Sequence, residues 1–189
     1  FHVVGGVRPG VDDLVVAFAV GDHLLLILLG DLIDLLLRLG DAVQCQSAVY
    51  LEAECASYGS RWQLRNDANA WSGKILLQPA EYSYNTVPTN TADLVTFNVN
   101  VTVSGSYRIF ARSAVPNSDG DSYWVRVNNG NWVKWNTVNL NSYSGFNWDQ
   151  VGNWGGSRND DLPVSFNLVA GANTIQFAWR EPNACLDKL

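Results

Sequence analysis

The sequence predicts an all-β sandwich over residues 48–189, preceded by an apolar N-terminal segment over residues 1–47 that is predicted helical. Three observations lead there. Beyond residue 48, short alternating runs are separated by turn residues at intervals of roughly eight to fifteen positions, the pattern of a sandwich. Aromatic residues make up 12% of the chain, with eight Trp and no Met, while charged residues reach only 16%, so solubility rests on Asn, Ser, Thr and Gly, as in secreted β-proteins. Composition also changes abruptly near residue 47.

The first segment, "VDDLVVAFAVGDHLLLILLGDLIDLLLRLGDAV", is dense in Leu and Val and interrupted by Gly-Asp at 21, 30 and 40. No uncharged apolar stretch of about eighteen residues survives those interruptions, which excludes a simple membrane span. Without a basic head or an A-x-A-like cleavage site it is not a clean signal peptide. Three readings stay open: apolar helices packing on a partner or on copies of the chain through residues 11–39, an interfacial anchor, or a stretch translated in a shifted frame. A chain that opens at Phe1 and contains no Met suggests a processed product or a fragment.

Strands are expected next at 48–54, 93–102, 105–114, 122–127, 131–136, 162–169 and 173–181. Tyr107, Ile109 and Ala111 alternate with Ser106, Arg108 and Phe110, and Ile175, Phe177 and Trp179 alternate with Thr174, Gln176 and Ala178. A period of two places each set on one side of its strand. In "DSYWVRVNNGNWVKWN" (121–136) a type I′ turn at Asn129-Gly130 predicts that Val127 faces Trp132, Val125 faces Lys134 and Trp124 faces Trp135. The Tyr123-Val125-Val127 face goes inward, which sends Trp124, Arg126 and Trp135 to the outer surface. Exposed indoles there either stabilise the hairpin or offer a platform to a ligand that is apolar on one face and hydroxylated at its edge. A sugar ring is such a ligand. The glycine-punctuated loop "SYSGFNWDQVGNWGGSRNDD" (142–161) holds Tyr143, Phe146, Trp148 and Trp154 among amides, and loops of that length in compact domains are usually functional or disordered.

Charge excludes one class of partner. Residues 1–47 carry six Asp against two Arg, and neither part of the chain is basic, so nucleic acid is not expected. Cys45, Cys55 and Cys185 lack zinc-ligand spacing. A disulfide between Cys55, at the end of the first strand, and Cys185, at the start of the last, is expected because end strands of a sandwich lie side by side. Such a bond implies an oxidising compartment, and buried free thiols are the alternative.

The segments "YLEAE", "GSYRIFARSAVPNSDGDSYWVRV", "GFNWDQV" and "FNLVAGANTIQFAWREPNACLDKL", in that order, make residues 48–189 resemble the family 6-like carbohydrate-binding modules. The resemblance implies a jelly-roll β-sandwich of the galactose-binding-like type, extracellular or at the cell surface, non-catalytic, and commonly a module of a larger secreted glycoside hydrolase. It implies a structural Ca2+ between first and last strands, on Glu52, Glu54 and Asp187. Those ligands conflict with the disulfide: if Cys55 faces Cys185, Asp187 faces Ala53 and points away from both glutamates, unless a bulge intervenes or Cys55 lies beyond the strand end.

The family's loop-end sugar site maps onto Phe146 and Trp148, with Trp71 as a facing wall. Its asparagine position holds Cys185, so Asn183 is the nearest substitute. A second family site, on a sheet face, maps onto Trp124, Arg126 and Trp135. Asp119, Asp121, Asp149, Asp160 and Asp161 all fall in turn-like text, and no nucleophile elbow, phosphate loop or His-centred dyad accompanies them, so catalysis is not expected. Two functions follow. One is binding of polysaccharide or glycan by Trp/Tyr stacking with Asn, Arg and Asp hydrogen bonds. The other is a structural subunit of a surface assembly, self-associating through its apolar segment.

Overall fold

The structure is a computed structural model that describes residues 3–6, 15–20, 23–28, 49–79, 85–139, 143–157 and 161–189. The chain divides into two compact units, Phe1–Ala48 and Val49–Leu189.

In the first unit the described residues are strands, not the predicted helix: β1 (Val3–Gly6), β2 (Val15–Val20) and β3 (His23–Leu28) form an antiparallel sheet in the order β1-β2-β3. Val20 pairs with His23. A short apolar run carries no period of its own, which is why helix and strand could not be separated there. The remainder of 11–39, and with it much of the proposed self-packing segment, lies outside the described residues, as does Cys45.

The second unit is a β-sandwich. Its strands in chain order are β4 (Ser57–Tyr58), β5 (Gln63–Asn66), β6 (Lys74–Leu77), β7 (Leu94–Val101), β8 (Gly105–Arg108), β9 (Phe110–Ala114), β10 (Tyr123–Val127), β11 (Val133–Trp135), β12 (Asn147–Gln150), β13 (Gly152–Asn153), β14 (Leu162–Pro163), β15 (Ser165–Leu168), β16 (Gly171–Trp179) and β17 (Cys185–Lys188). One five-stranded sheet runs β11-β10-β16-β7-β4 and the other β12-β9-β17-β6-β5, with the pairs β13-β14 and β15-β8 beside them. Alternation fixes the core: Val95, Phe97, Val99 and Val101 of β7 and Ile175, Phe177 and Trp179 of β16 are buried, as their period of two requires. Phe177 meets Phe97, Tyr123 and Trp135 edge-on, at centroid separations of 6.1, 5.7 and 6.4 Å. Ile109 and Ala111 are buried as expected, but the chain breaks step between β8 and β9, and Tyr107 only packs against the core margin.

The β10–β11 hairpin departs from its expected register by one residue. The turn centres on Asn128 and Asn129, at φ 49° and 56°, and Gly130 N–H closes it on the Val127 carbonyl at 2.8 Å. A two-residue turn there would set Val127 against Gly130; one further residue is accommodated before β11, so Tyr123 pairs with Trp135, Trp124 with Lys134 and Val125 with Val133. Asn128 decides this. Its N–H donates to the Thr174 carbonyl (3.0 Å), its Oδ1 accepts from Thr174 N–H (2.8 Å), and its Nδ2 donates to Asn173 Oδ1 (2.7 Å), so β16 holds it at the corner. A slip of one residue exchanges the two faces of a strand. Trp135, expected outside, is in the core at 1% exposure, tilted against Tyr123 at 5.8 Å. Trp132, expected inside, lies under the Arg126 guanidinium at 4.3 Å.

Candidate functional site

Among the residues expected to bind sugar, the structure separates exposed rings from covered ones. Trp124 is outside the core cluster but is only 7% exposed, so the anticipated Trp124–Arg126–Trp135 platform does not form. On that sheet Arg126 Nε donates to Gln176 Oε1 at 2.6 Å, and Gln176 Nε2 donates to Thr96 Oγ1 at 3.0 Å, a polar rung across three strands.

The opposite sheet carries the open aromatics. Trp71 is 65% exposed, Trp148 43%, and Tyr50, which sequence reasoning did not single out, 64%. Trp148 on β12 pairs with Arg112 on β9, and Arg112 with Lys188 on β17; Lys188 in turn bridges to Glu52. Tyr50 leans edge-on against Trp148 at 6.2 Å, and the Lys188 ammonium lies 5.1 Å from the Tyr50 ring and 4.2 Å from the Trp71 ring. Phe146 is half-buried beneath Arg112 at 4.9 Å. Asn183 stands exposed at φ 65° with its N–H donated to the Gln78 carbonyl, and no contact joins it to Trp71, Phe146 or Trp148 among the described residues.

The expected calcium ligands border one loop without forming a cluster. Ser72 donates to Glu54, while Trp71 N–H donates to Asp187 Oδ1 at 3.1 Å. Asp187, fully buried, is ion-paired with Arg112, and Lys188 reaches Glu52 Oε1 at 2.6 Å. Among the described residues no group of three or more His, Cys, Asp or Glu side chains is arranged to hold a metal ion. Glu52 Oε2 and Glu54 Oε2 are nonetheless buried without a hydrogen-bond partner, and hard carboxylate oxygens are the donors calcium takes.

Both described cysteines are free, which corrects the predicted disulfide. The bridge of Glu52 to Lys188 sets the register that would bring Cys55 opposite Cys185. The chain then leaves the strand in a 3-10 turn, Ala53–Cys55, and Cys185 pairs instead with Leu77 and Ala114. A register shift between Leu186 and Lys188 accompanies this, the bulge that frees Asp187 from the alternation. Burial pushes the Cys185 thiol up to about 11, with Asp67 adding to the effect.

Beside β12 opens a cleft of about 400 Å³, within the range typical of ligand sites. All four residues of β12 line it, together with Thr137, Asn139 and Asp161, and Trp135 backs it. Its wall is held in an unusual backbone state. Thr137 and Asn139 both have positive φ, 61° and 55°. For a β-branched residue such as Thr137 this is a true outlier, costing on the order of 1–3 kcal/mol and persisting only where neighbours enforce it.

The neighbours here are carboxylates. Buried Asp121 accepts from Val138 N–H through its backbone carbonyl at 2.9 Å, and its Oδ2 accepts from Tyr143 at 3.1 Å. Thr137 Oγ1 donates to Asp161 Oδ2 at 2.9 Å, and Asn139 N–H donates to Asp149 Oδ2 at 2.8 Å. Asn139 Nδ2 anchors on the Ser113 carbonyl at 2.8 Å, leaving its Oδ1 buried and unpartnered; Gln150 Nε2 is likewise unpartnered. Nearby, Lys134 holds its ammonium 3.3 Å from the Trp154 ring centroid, and desolvation, reinforced by Arg180, lowers its pKa. Sequence reading had found Trp148 but not Asn139 or Gln150; left-handed backbone at Thr137 leaves no mark in composition or periodicity.

The sandwich, with its two antiparallel sheets, has the fold of the carbohydrate-binding modules. In particular, it is similar to a family 35 carbohydrate binding module from Clostridium thermocellum, at 20% identity and TM-score 0.56, over 75% of this chain and 96% of that one. It is also similar to part of an exo-β-1,3-galactanase from Phanerochaete chrysosporium (22%, TM-score 0.53, 75% of this chain) and part of the GH26-CBM35 β-(1,4)-mannanase of Podospora anserina (20%, TM-score 0.52, 74%). The matched part is 28% and 26% of those two enzymes. The first and third of these carry the family 35 designation, where the sequence suggested family 6. No protein-family model and no curated protein matches the chain. Among the described residues no helix is long and apolar enough to cross a membrane.

Proposed function

We propose that residues 49–189 form a non-catalytic glycan-binding module whose sugar site is the cleft beside β12. The observation that carries this is the pairing of a half-open indole, Trp148, with two unmet amide atoms, Asn139 Oδ1 and Gln150 Nε2, around a wall held in strained backbone. Such a site supplies what a pyranose requires: a flat apolar face for its C–H groups, and an acceptor and a donor for a hydroxyl. Trp71 and Tyr50 extend the stacking surface beyond Trp148. The fold adds support, since the structures it resembles include a carbohydrate binding module and part of a GH26-CBM35 mannanase, and by that analogy the chain works outside the cell, serving a catalytic domain. Affinity electrophoresis through gels cast with a panel of polysaccharides tests the reading. Retardation in at least one gel that is relieved by Gln150→Ala is expected, and free migration in every gel rejects it.

Calcium belongs to the proposal on the two orphaned oxygens. Glu52 and Glu54 would hold the ion, which would meet buried carboxylate charge that Lys188 neutralises only in part. Ligand linkage then raises the melting temperature in millimolar Ca2+ over chelator. Identical melting curves in the two conditions would remove the metal from the account.

A further inference from the structure

Resting on the cleft as the sugar site, we infer that it selects uncharged sugars and turns away glycans bearing carboxylate or sulfate groups. The argument begins with Asp149. Its two oxygens are fixed by backbone donors, Oδ2 by Asn139 N–H and Oδ1 by Gln150 N–H, each at 2.8 Å, so the carboxylate cannot swing out of the wall. It forms no ion pair with a described residue. The described lining holds a second acid, Asp161, and no Lys, Arg or His. Among the described residues, cations on neighbouring elements are directed elsewhere: Arg112 to Asp187, Lys188 to Glu52, and Lys134 onto the Trp154 ring.

Hydrogen-bonding capacity points the same way as charge. Among the buried side-chain atoms of the described lining, Asn139 Oδ1 is an unmet acceptor and Gln150 Nε2 an unmet donor, and the Asp149 carboxylate accepts only. A sugar hydroxyl both donates and accepts, so it suits an acceptor such as Asn139 Oδ1 and a donor such as Gln150 Nε2 alike. An ionised carboxylate or a sulfate ester only accepts. Placed here it leaves Asn139 Oδ1 unmet and brings its charge against Asp149 at short range. Two penalties therefore fall on the acidic sugar, an unsatisfied buried acceptor and like-charge juxtaposition, and neither falls on the neutral one.

The test compares retention of the full chain on gels of galactan, mannan and dextran with gels of polygalacturonate and alginate, at about 0.15 M salt, where only close charges are felt. Retention on at least one neutral polymer is expected, with the anionic polymers at least about tenfold weaker. Asp149→Asn keeps the shape and one acceptor while removing the charge, and it is expected to narrow that gap by about tenfold, with thermal melting confirming that the variant is folded. Equal or stronger retention on polygalacturonate or alginate overturns the selectivity while leaving glycan binding intact. An unchanged neutral-to-anionic ratio in a folded Asp149→Asn variant also overturns it. Retention on no polymer removes the underlying reading as well.

Discussion

Replacing Trp148 by Ala tests whether the open indole contributes to binding. A tryptophan presents about 250 Å² when fully counted. At 43% exposure about 110 Å² remains free, and a sugar stacked on one face covers about half of it. At roughly 25 cal/mol per Å² this is about 1.3 kcal/mol, close to a tenfold change in dissociation constant. The side chain also packs on Tyr50, so some loss of stability is expected, and melting must be followed alongside. The assay is affinity electrophoresis or calorimetric titration on the polysaccharide that retains the parent chain best, at a temperature where both proteins are folded. A folded variant with unchanged affinity would show that the indole takes no part, and the cleft would lose its stacking wall.

Other expectations follow from the same geometry. Trp135→Ala, at the core contact with Tyr123 and Phe177, should cost about 3–5 kcal/mol in denaturant unfolding; a cost under about 1 kcal/mol would contradict the observed register. Asn128→Ala should lose about 1–2 kcal/mol, since it strands Thr174 N–H and forces Ala to positive φ, whereas Asn128→Gly should recover part of that loss. At pH 8 iodoacetamide should label exposed Cys55 well ahead of Cys185, read by peptide mass mapping; mass evidence for a Cys55–Cys185 bond would refute the free-thiol geometry. Because the folded state raises the Cys185 pKa from 9.0 to about 11, its contribution to stability is complete below pH 9 and is lost as pH rises toward 11.

The sandwich was readable because β7 alternates cleanly and β16 does so over most of its length, and alternation with one buried face is a strong signal. It failed at β5 and β6: "QLRN" and "KILL" are four residues each, too short to display a period. The sugar site was half legible. Trp148 and Trp71 stood out by residue type and loop context, but Trp124 and Trp135 could not be told apart from them. Their fate depends on whether one extra residue is accommodated between the turn and β11, because a two-residue turn at either Asn128-Asn129 or Asn129-Gly130 alone would put Trp124 and Trp135 on the same face. The hydrogen bonds from Asn128 to β16 decide the matter, and they join residues 45 or more positions apart. The disulfide failed for a similar reason. The register that brings Cys55 opposite Cys185 was correct, but the strand ended one residue after the bridge at Glu52 began.

The strands at the margins of the two large sheets are all brief: β4 has two residues, β11 three, and β5 and β12 four each. So little open backbone gives a neighbouring polypeptide almost nothing to extend by strand addition. Copies of the sandwich brought close together can therefore sit side by side as separate bodies, without zippering into a common sheet through these edges.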